Sequence, residues 1–106
     1  MGLRRAMAPN IGILLVGHGT ASPLGVAEFT AVADRLGPHF PGHPLAFGFL
    51  EHARPTINEA VELLFQQGVA SIAVAPLLLF AAGHAKRDIP HEALLAAEKR
   101  GLTIAA

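Results

Sequence analysis

Cysteine is absent from the 106 residues. No disulfide frame, thiolate metal site or cysteine nucleophile is available, so soft or titratable chemistry falls to the six histidines. A cysteine-free chain suits the cytoplasm, the expected compartment. Charge is scarce and balanced, with eight Lys plus Arg against eight Asp plus Glu and no basic run able to neutralise a row of phosphates. That argues against a nucleic-acid partner. Long apolar runs are missing too: Gly68–Gly83, "GVASIAVAPLLLFAAG", falls short of the ~20 residues that span a bilayer, and Pro76 sits at its centre. No membrane span is expected. The opening "MGLRRAMAPN" has two arginines but no apolar core followed by a cleavage site, so residues 1–10 read as a frayed end and not as a secretory signal.

What the chain does contain is apolar mass, 52% of its residues. That suffices for one domain, residues 11–106, marginal for a deep cavity of its own. The excess asks for a partner surface or a ligand pocket to cover it.

Short β-like runs alternate with helical periodicity. Ile11–Val16, "IGILLV", has the length and bounds of a strand buried on both faces. Ser22 with Pro23 opens a helix whose apolar positions are Val26, Phe29, Val32, Ala33 and Leu36, and it stops near Gly37-Pro38. "LAFGFL" (45–50) predicts the second strand. Pro55 begins the second helix, with Thr56 and Glu59 at capping-box spacing and Gly68 as its stop. Val69–Ala75 predicts the third strand, ended by Pro76, and Asp88 caps a third helix with Pro90 in its first turn. Leu102–Ala106 begins a fourth strand. This alternation implies an α/β doubly wound parallel sheet, order 2-1-3-4. No helix follows to cover the last edge, so the reading expects a truncated unit or one that meets another copy.

Open parallel sheets bind ligands beyond the carboxyl ends of their strands, where the winding reverses. Three strand exits deliver titratable groups there: His18 after strand one, Glu51 and His52 after strand two, and His84 in the loop leaving strand three. A lone His18 can cap a helix, and a lone His84 can be an ordinary loop residue. Together at the switch point, two imidazoles and a carboxylate form a divalent-metal site with open positions. His39, His43 and His91 read as solvated, and Leu77–Ala82 reads as an apolar wall leading to His84.

Three stretches, "LLVGHGT", "FLEHARPTINEAVELLFQQG" and "IAVAPLLLFAAGHAKRDIP", resemble the class II chelatases, specifically the small sirohydrochlorin cobaltochelatase and ferrochelatase type. The resemblance covers nearly all of Ile11–Pro90, and the third motif is the most specific. Thr20 replaces the usual serine, and Gly83 directly precedes His84. The resemblance implies a flavodoxin-like three-layer half, paired with a second half or a second copy. It also implies insertion of Co²⁺ or Fe²⁺ into sirohydrochlorin or a related tetrapyrrole, with the metal as substrate and no tightly bound cofactor. His18 and His84 would hold the metal and assist proton removal, with Glu51 contributing. The chemistry suits these residue types, because neutral imidazole is both ligand and base near pH 7 and releases what it holds. Leu78 and Phe80 would pack on the macrocycle, and Arg54, Lys86 and Arg87 would meet its carboxylates. Two other classes stay open: a non-catalytic metal-binding half, and a phosphate-handling enzyme using Gly-His-Gly before a helix N-terminus.

Overall fold

The computed structural model describes residues 10–19, 21–77 and 83–105, with the backbone alone for residues 77 and 83–87. The elements run β1 (Ile11–Gly17), α1 (Pro23–Leu36), a short 3₁₀ turn (Gly37–His39), β2 (Leu45–Phe49), α2 (Ile57–Gln66), β3 (Ser71–Leu77), α3 (Gly83–Lys99) and β4 (Thr103–Ile104). The strands form one parallel sheet in the order β2-β1-β3-β4, as the alternation predicts.

Side chains alternate across the sheet and find a helical partner on each face. Leu14, Val16, Ala46 and Ile72 turn to one side and pack with Ile57, Ala60, Val61 and Leu64 of α2 and Ile89, Ala93, Ala96 and Ala97 of α3. Fully burying a leucine such as Leu64 contributes about 1.5–3 kcal/mol, and Leu64 is wholly enclosed. Arg100, just past α3, ties the two helices together by donating to Glu62 Oε1 (2.8 Å), Asn58 Oδ1 (2.9 Å) and the Ala96 carbonyl (2.9 Å). On the opposite face Phe29 of α1 meets Phe47 and Phe49 of β2, with ring centroids 5.6 and 4.8 Å apart. Gly17 lets Phe29 lie against β1, since a Cβ there would stand 2.6 Å from the Phe29 ring.

The predicted helix starts are found for α1 and α2. Ser22 Oγ accepts from the Gly25 amide (3.3 Å). Thr56 and Glu59 complete the reciprocal capping box, at 3.1 Å from the Glu59 amide and 2.9 Å from the Thr56 amide. Pro55 does not open the helix: its carbonyl accepts from the Phe49 amide (2.8 Å), which draws the chain before α2 alongside β2.

Two boundaries differ more. β3 runs through Pro76 to Leu77, pairing Val16↔Pro76 and Gly17↔Leu77. Thr103 donates to the Ala70 carbonyl and Ala105 to that of Ile72, so alternate residues of β3 turn their backbone groups toward β4. By that period Pro76 also faces the β4 side, past the Ile72↔Ile104 pair that ends the β4 ladder. Its missing N–H therefore removes no bond to β1. The second difference is α3, which begins at Gly83, upstream of Asp88, and carries Pro90 in its interior. Proline lacks the N–H that would reach back one turn, yet Pro90 is exposed while Ile89 and Ala93 anchor the helix in the core. Packing of that inner face outweighs the local break. β4 is shorter than predicted, Thr103–Ile104, with Leu102 buried ahead of it and Ala106 outside the described residues.

Among the described residues no helix is long and apolar enough to cross a membrane.

Candidate functional site at the carboxyl ends of the strands

The winding reverses between β1 and β3, and Gly17 at the end of β1 is flanked by Phe49 on one side and Leu77 on the other. His18 follows immediately. The two chains stay joined past the named strands, with the Leu50 amide donating to the Gly17 carbonyl (2.9 Å) and the Glu51 amide to the His18 carbonyl (3.1 Å). This brings the exits of β1 and β2 together. Gly19 makes the approach possible: its φ is +115°, and a Cβ there would lie 1.6 Å from the Glu51 carbonyl oxygen. Only glycine fits.

The side chains converge as the backbones do. His18 Nε2 lies 3.0 Å from Glu51 Oε2, and His52 Nε2 lies 3.3 Å from the same oxygen. An ionised carboxylate only accepts, so the His18 ring nitrogen donates in this contact. Two ligating atoms 3.0 Å apart are also spaced as neighbours around a divalent ion held at ~2.1 Å from each, which they would meet at about 90°. The pair can thus exchange a shared proton for a shared metal.

The other predicted residues fall in three groups. His84 is the second residue of α3, in its first turn and not in a loop, and its side chain lies outside the described residues, as do those of Lys86 and Arg87. Leu78 and Phe80 lie outside the described residues altogether. Arg54 is engaged within the chain: its Nε donates to Glu59 Oε1 (3.1 Å) and its Nη2 to Glu59 Oε2. The guanidinium, with help from the Thr56 amide, holds the Glu59 carboxyl down at about 2, and the Arg54 pKa is raised in return. His43, expected on a solvated loop, is half-buried with Nδ1 donating to the Ile11 carbonyl (2.9 Å). It braces the turn before β2.

Sequence reasoning placed His52 at the strand exit without a part in the chemistry, and did not find why Gly19 must be glycine. The signal for Gly19 was the second glycine of "GHG"; the identity of the group it meets, 32 residues away, is tertiary information. An open groove of about 410 Å³ between α2 and α3, lined by Asn58, Glu92, Leu95, Ala96, Glu98 and Lys99, contains none of the strand-exit groups.

These features define a doubly wound parallel α/β unit that gathers imidazole and carboxylate beyond the ends of its strands. Residues 12–105 match the CbiX family profile, and the chain belongs to the CbiX family. The sirohydrochlorin cobaltochelatase of Methanothermobacter thermautotrophicus is 43% identical over 83 residues, covering 78% of this chain and 57% of that relative. The sirohydrochlorin ferrochelatase of Bacillus subtilis is 39% identical over 87 residues, covering 82% of this chain and 33% of that one. A solved structure, SirB from Bacillus subtilis with Fe³⁺, superimposes with a TM-score of 0.81 at 36% identity, covering 90% of this chain and 38% of its own. This chain therefore spans little more than half of the first of these relatives and about a third of the second.

Proposed function

We propose that residues 11–106 form one half of a chelatase centre that inserts Co²⁺ or Fe²⁺ into sirohydrochlorin or a closely related tetrapyrrole, a lyase reaction of cobalamin or siroheme synthesis. The observation that carries the reading is the 3.0 Å His18–Glu51 contact at the switch point of a CbiX-family sheet. Names of relatives support the two metals, one being a cobaltochelatase and the other a ferrochelatase.

The net reaction replaces two pyrrole N–H protons by one M²⁺, so the site must release an ion and accept protons at the same place. His18 with His84 would present the ion, and Glu51 would take up protons as His18 gives up its own hydrogen bond to bind metal. Until the metal arrives, the carboxylate holds the His18 ring in place through this same Nε2 contact. The position of His84 supports its part, since α3 begins six residues after β3 ends beside Gly17. The run through Leu78 and Phe80 would supply the apolar wall. Lys86 and Arg87, in the first turns of α3, would meet the substrate's carboxylates, with Arg54 contributing less because Glu59 already balances its charge.

A tetrapyrrole is wide for the crevice of one small half, and Leu24, Phe40, Leu63, Phe65 and Leu95 are exposed. Both facts favour a homodimer, or a two-half protein, with the strand ends facing one cleft. A cytoplasmic setting fits the cysteine-free composition.

Anaerobic incubation with sirohydrochlorin and Co²⁺ or Fe²⁺, followed by absorption, tests the activity. A metal-dependent spectral change faster than the protein-free control is expected, and no acceleration with either metal refutes the reading. Light scattering across a dilution series tests the dimer. A monomer that inserts metal at high dilution would refute that part.

A further inference from the structure

His52 combines three properties that the reaction as described above leaves unused. Its Nε2 shares Glu51 Oε2 with His18, at 3.3 Å against 3.0 Å. Among the described residues it alone, apart from glycines, has a positive φ, 67°, a conformation that costs a residue with a Cβ about 1–2 kcal/mol. Exposure rises along the cluster, from 31% for the His18 side chain through 43% for Glu51 to 61% for His52. One carboxylate oxygen thus stands between an inner imidazole and an outer one.

Among the described residues no three such groups surround one point. The cluster therefore offers an ion two successive pairs that have Glu51 in common, and not one closed cage. A divalent ion at ~2.1 Å from both atoms would see the His52–Glu51 pair at roughly 100° and the His18–Glu51 pair at roughly 90°, both ordinary coordination angles. A pair of ligands binds weakly enough to release, which suits a station and not a storage site.

We propose that His52 is an outer capture ligand: M²⁺ from solvent is first held by His52 Nε2 and Glu51 Oε2, then passes to His18 Nε2 while Glu51 retains it. One metal–nitrogen bond is exchanged for another, with no change of oxidation state. Each neutral ring frees its Nε2 lone pair by carrying its single proton on Nδ1, a tautomer change through water that these partly exposed rings allow. In this left-handed conformation His52 Nε2 stands 3.3 Å from Glu51 Oε2. The inference rests on reading this site as one that passes a metal to a substrate.

The test uses the full chain with His52→Gly and His52→Asn, two residues that accept a left-handed backbone. Co²⁺ alone is titrated anaerobically by equilibrium dialysis, and its association is followed by stopped-flow absorption. Both variants are expected to bind Co²⁺ about tenfold more weakly or more slowly, the scale on which groups beside a metal site act, with no loss of melting temperature. In the insertion assay the Co²⁺ concentration for half-maximal rate should rise more than the maximal rate falls. Unchanged Co²⁺ binding in both variants overturns the proposal, as does a maximal rate that falls as far as in His18→Ala. If the wild-type chain inserts no metal, the chelatase reading fails, while the Co²⁺ titration still decides the role of His52.

Discussion

Replacing Gly19 by alanine should damage the site and the fold together, by an amount that can be worked out beforehand. The new Cβ would lie 1.6 Å from the Glu51 carbonyl oxygen and 2.7 Å from its carbonyl carbon. Ordinary contact begins near 3.4 Å, so the exits of β1 and β2 must part by about 1.8 Å (3.4 − 1.6). Neither side is a flexible side-chain end that can swing away. That displacement breaks the 3.1 Å bond from the Glu51 amide to the His18 carbonyl and draws the carboxylate off the imidazole. A lost backbone hydrogen bond removes about 0.5–1.5 kcal/mol, and a residue with a Cβ at a φ of +115° adds about 1–3 kcal/mol of strain. The sum is about 1.5–4.5 kcal/mol, a large part of the roughly 5–15 kcal/mol that holds a domain folded. The melting temperature should fall by roughly 5–35 °C. Gly42→Ala is the internal control: φ is +85° there, but nothing lies within 4 Å of the added Cβ, so only the conformational cost of about 1–2 kcal/mol remains. Urea unfolding of both variants at neutral pH separates close approach from backbone preference. Destabilisation of Gly19→Ala within 0.5 kcal/mol of Gly42→Ala would show that the two strand exits are not pressed together as described.

Thr56→Ala should destabilise the chain by about 1 kcal/mol through loss of the capping box, and Thr56→Ser should restore most of it, as read from urea midpoints. Leu64→Ala, in the core, should lose about 2–5 kcal/mol, whereas Leu63→Ala, one residue away and half exposed, should lose far less; similar losses would contradict the facing of α2. Glu59 is held at about 2 first by Arg54 and then by the Thr56 amide, against an ordinary value of 4.5. The unfolded chain binds this proton more readily, so the contribution of Glu59 is full above pH 4.5 and is lost as pH falls toward 2. The difference in unfolding midpoint between wild type and Glu59→Gln should therefore shrink from pH 6 to pH 3, and a constant difference would refute the assignment. His18→Ala and Glu51→Gln should each lose most metal insertion while melting close to wild type, since both side chains are partly exposed; near-normal insertion by either would dismiss the pair.

The sequence by itself determined the order of elements, the parallel sheet and the two capped helix starts, because these depend on local periodicity and on side chains within four residues of their partners. It also gathered His18, Glu51 and His84 as candidate groups at one end of the sheet, since the rule that sites lie at the carboxyl ends of parallel strands needs only the strand order; the pairing it expected was His18 with His84, and the contact of His18 with Glu51 is tertiary information. Boundaries near proline were less legible. Pro76 reads locally as a strand end, but it continues β3 because the side its N–H would have faced lies beyond the β4 ladder. Pro90 reads locally as a helix start, but α3 extends upstream of it because Ile89 and Ala93 are enclosed by the sheet and α2. The ion pair of Arg54 with Glu59 and the bond from His43 to the Ile11 carbonyl are not legible in the local pattern. What only tertiary structure decided is contact between residues far apart along the chain: the 1.6 Å approach that requires Gly19, and the single oxygen of Glu51 shared by an inner and an outer histidine. Periodicity encodes which face a residue takes, but not which distant backbone or side-chain atom comes to meet it there.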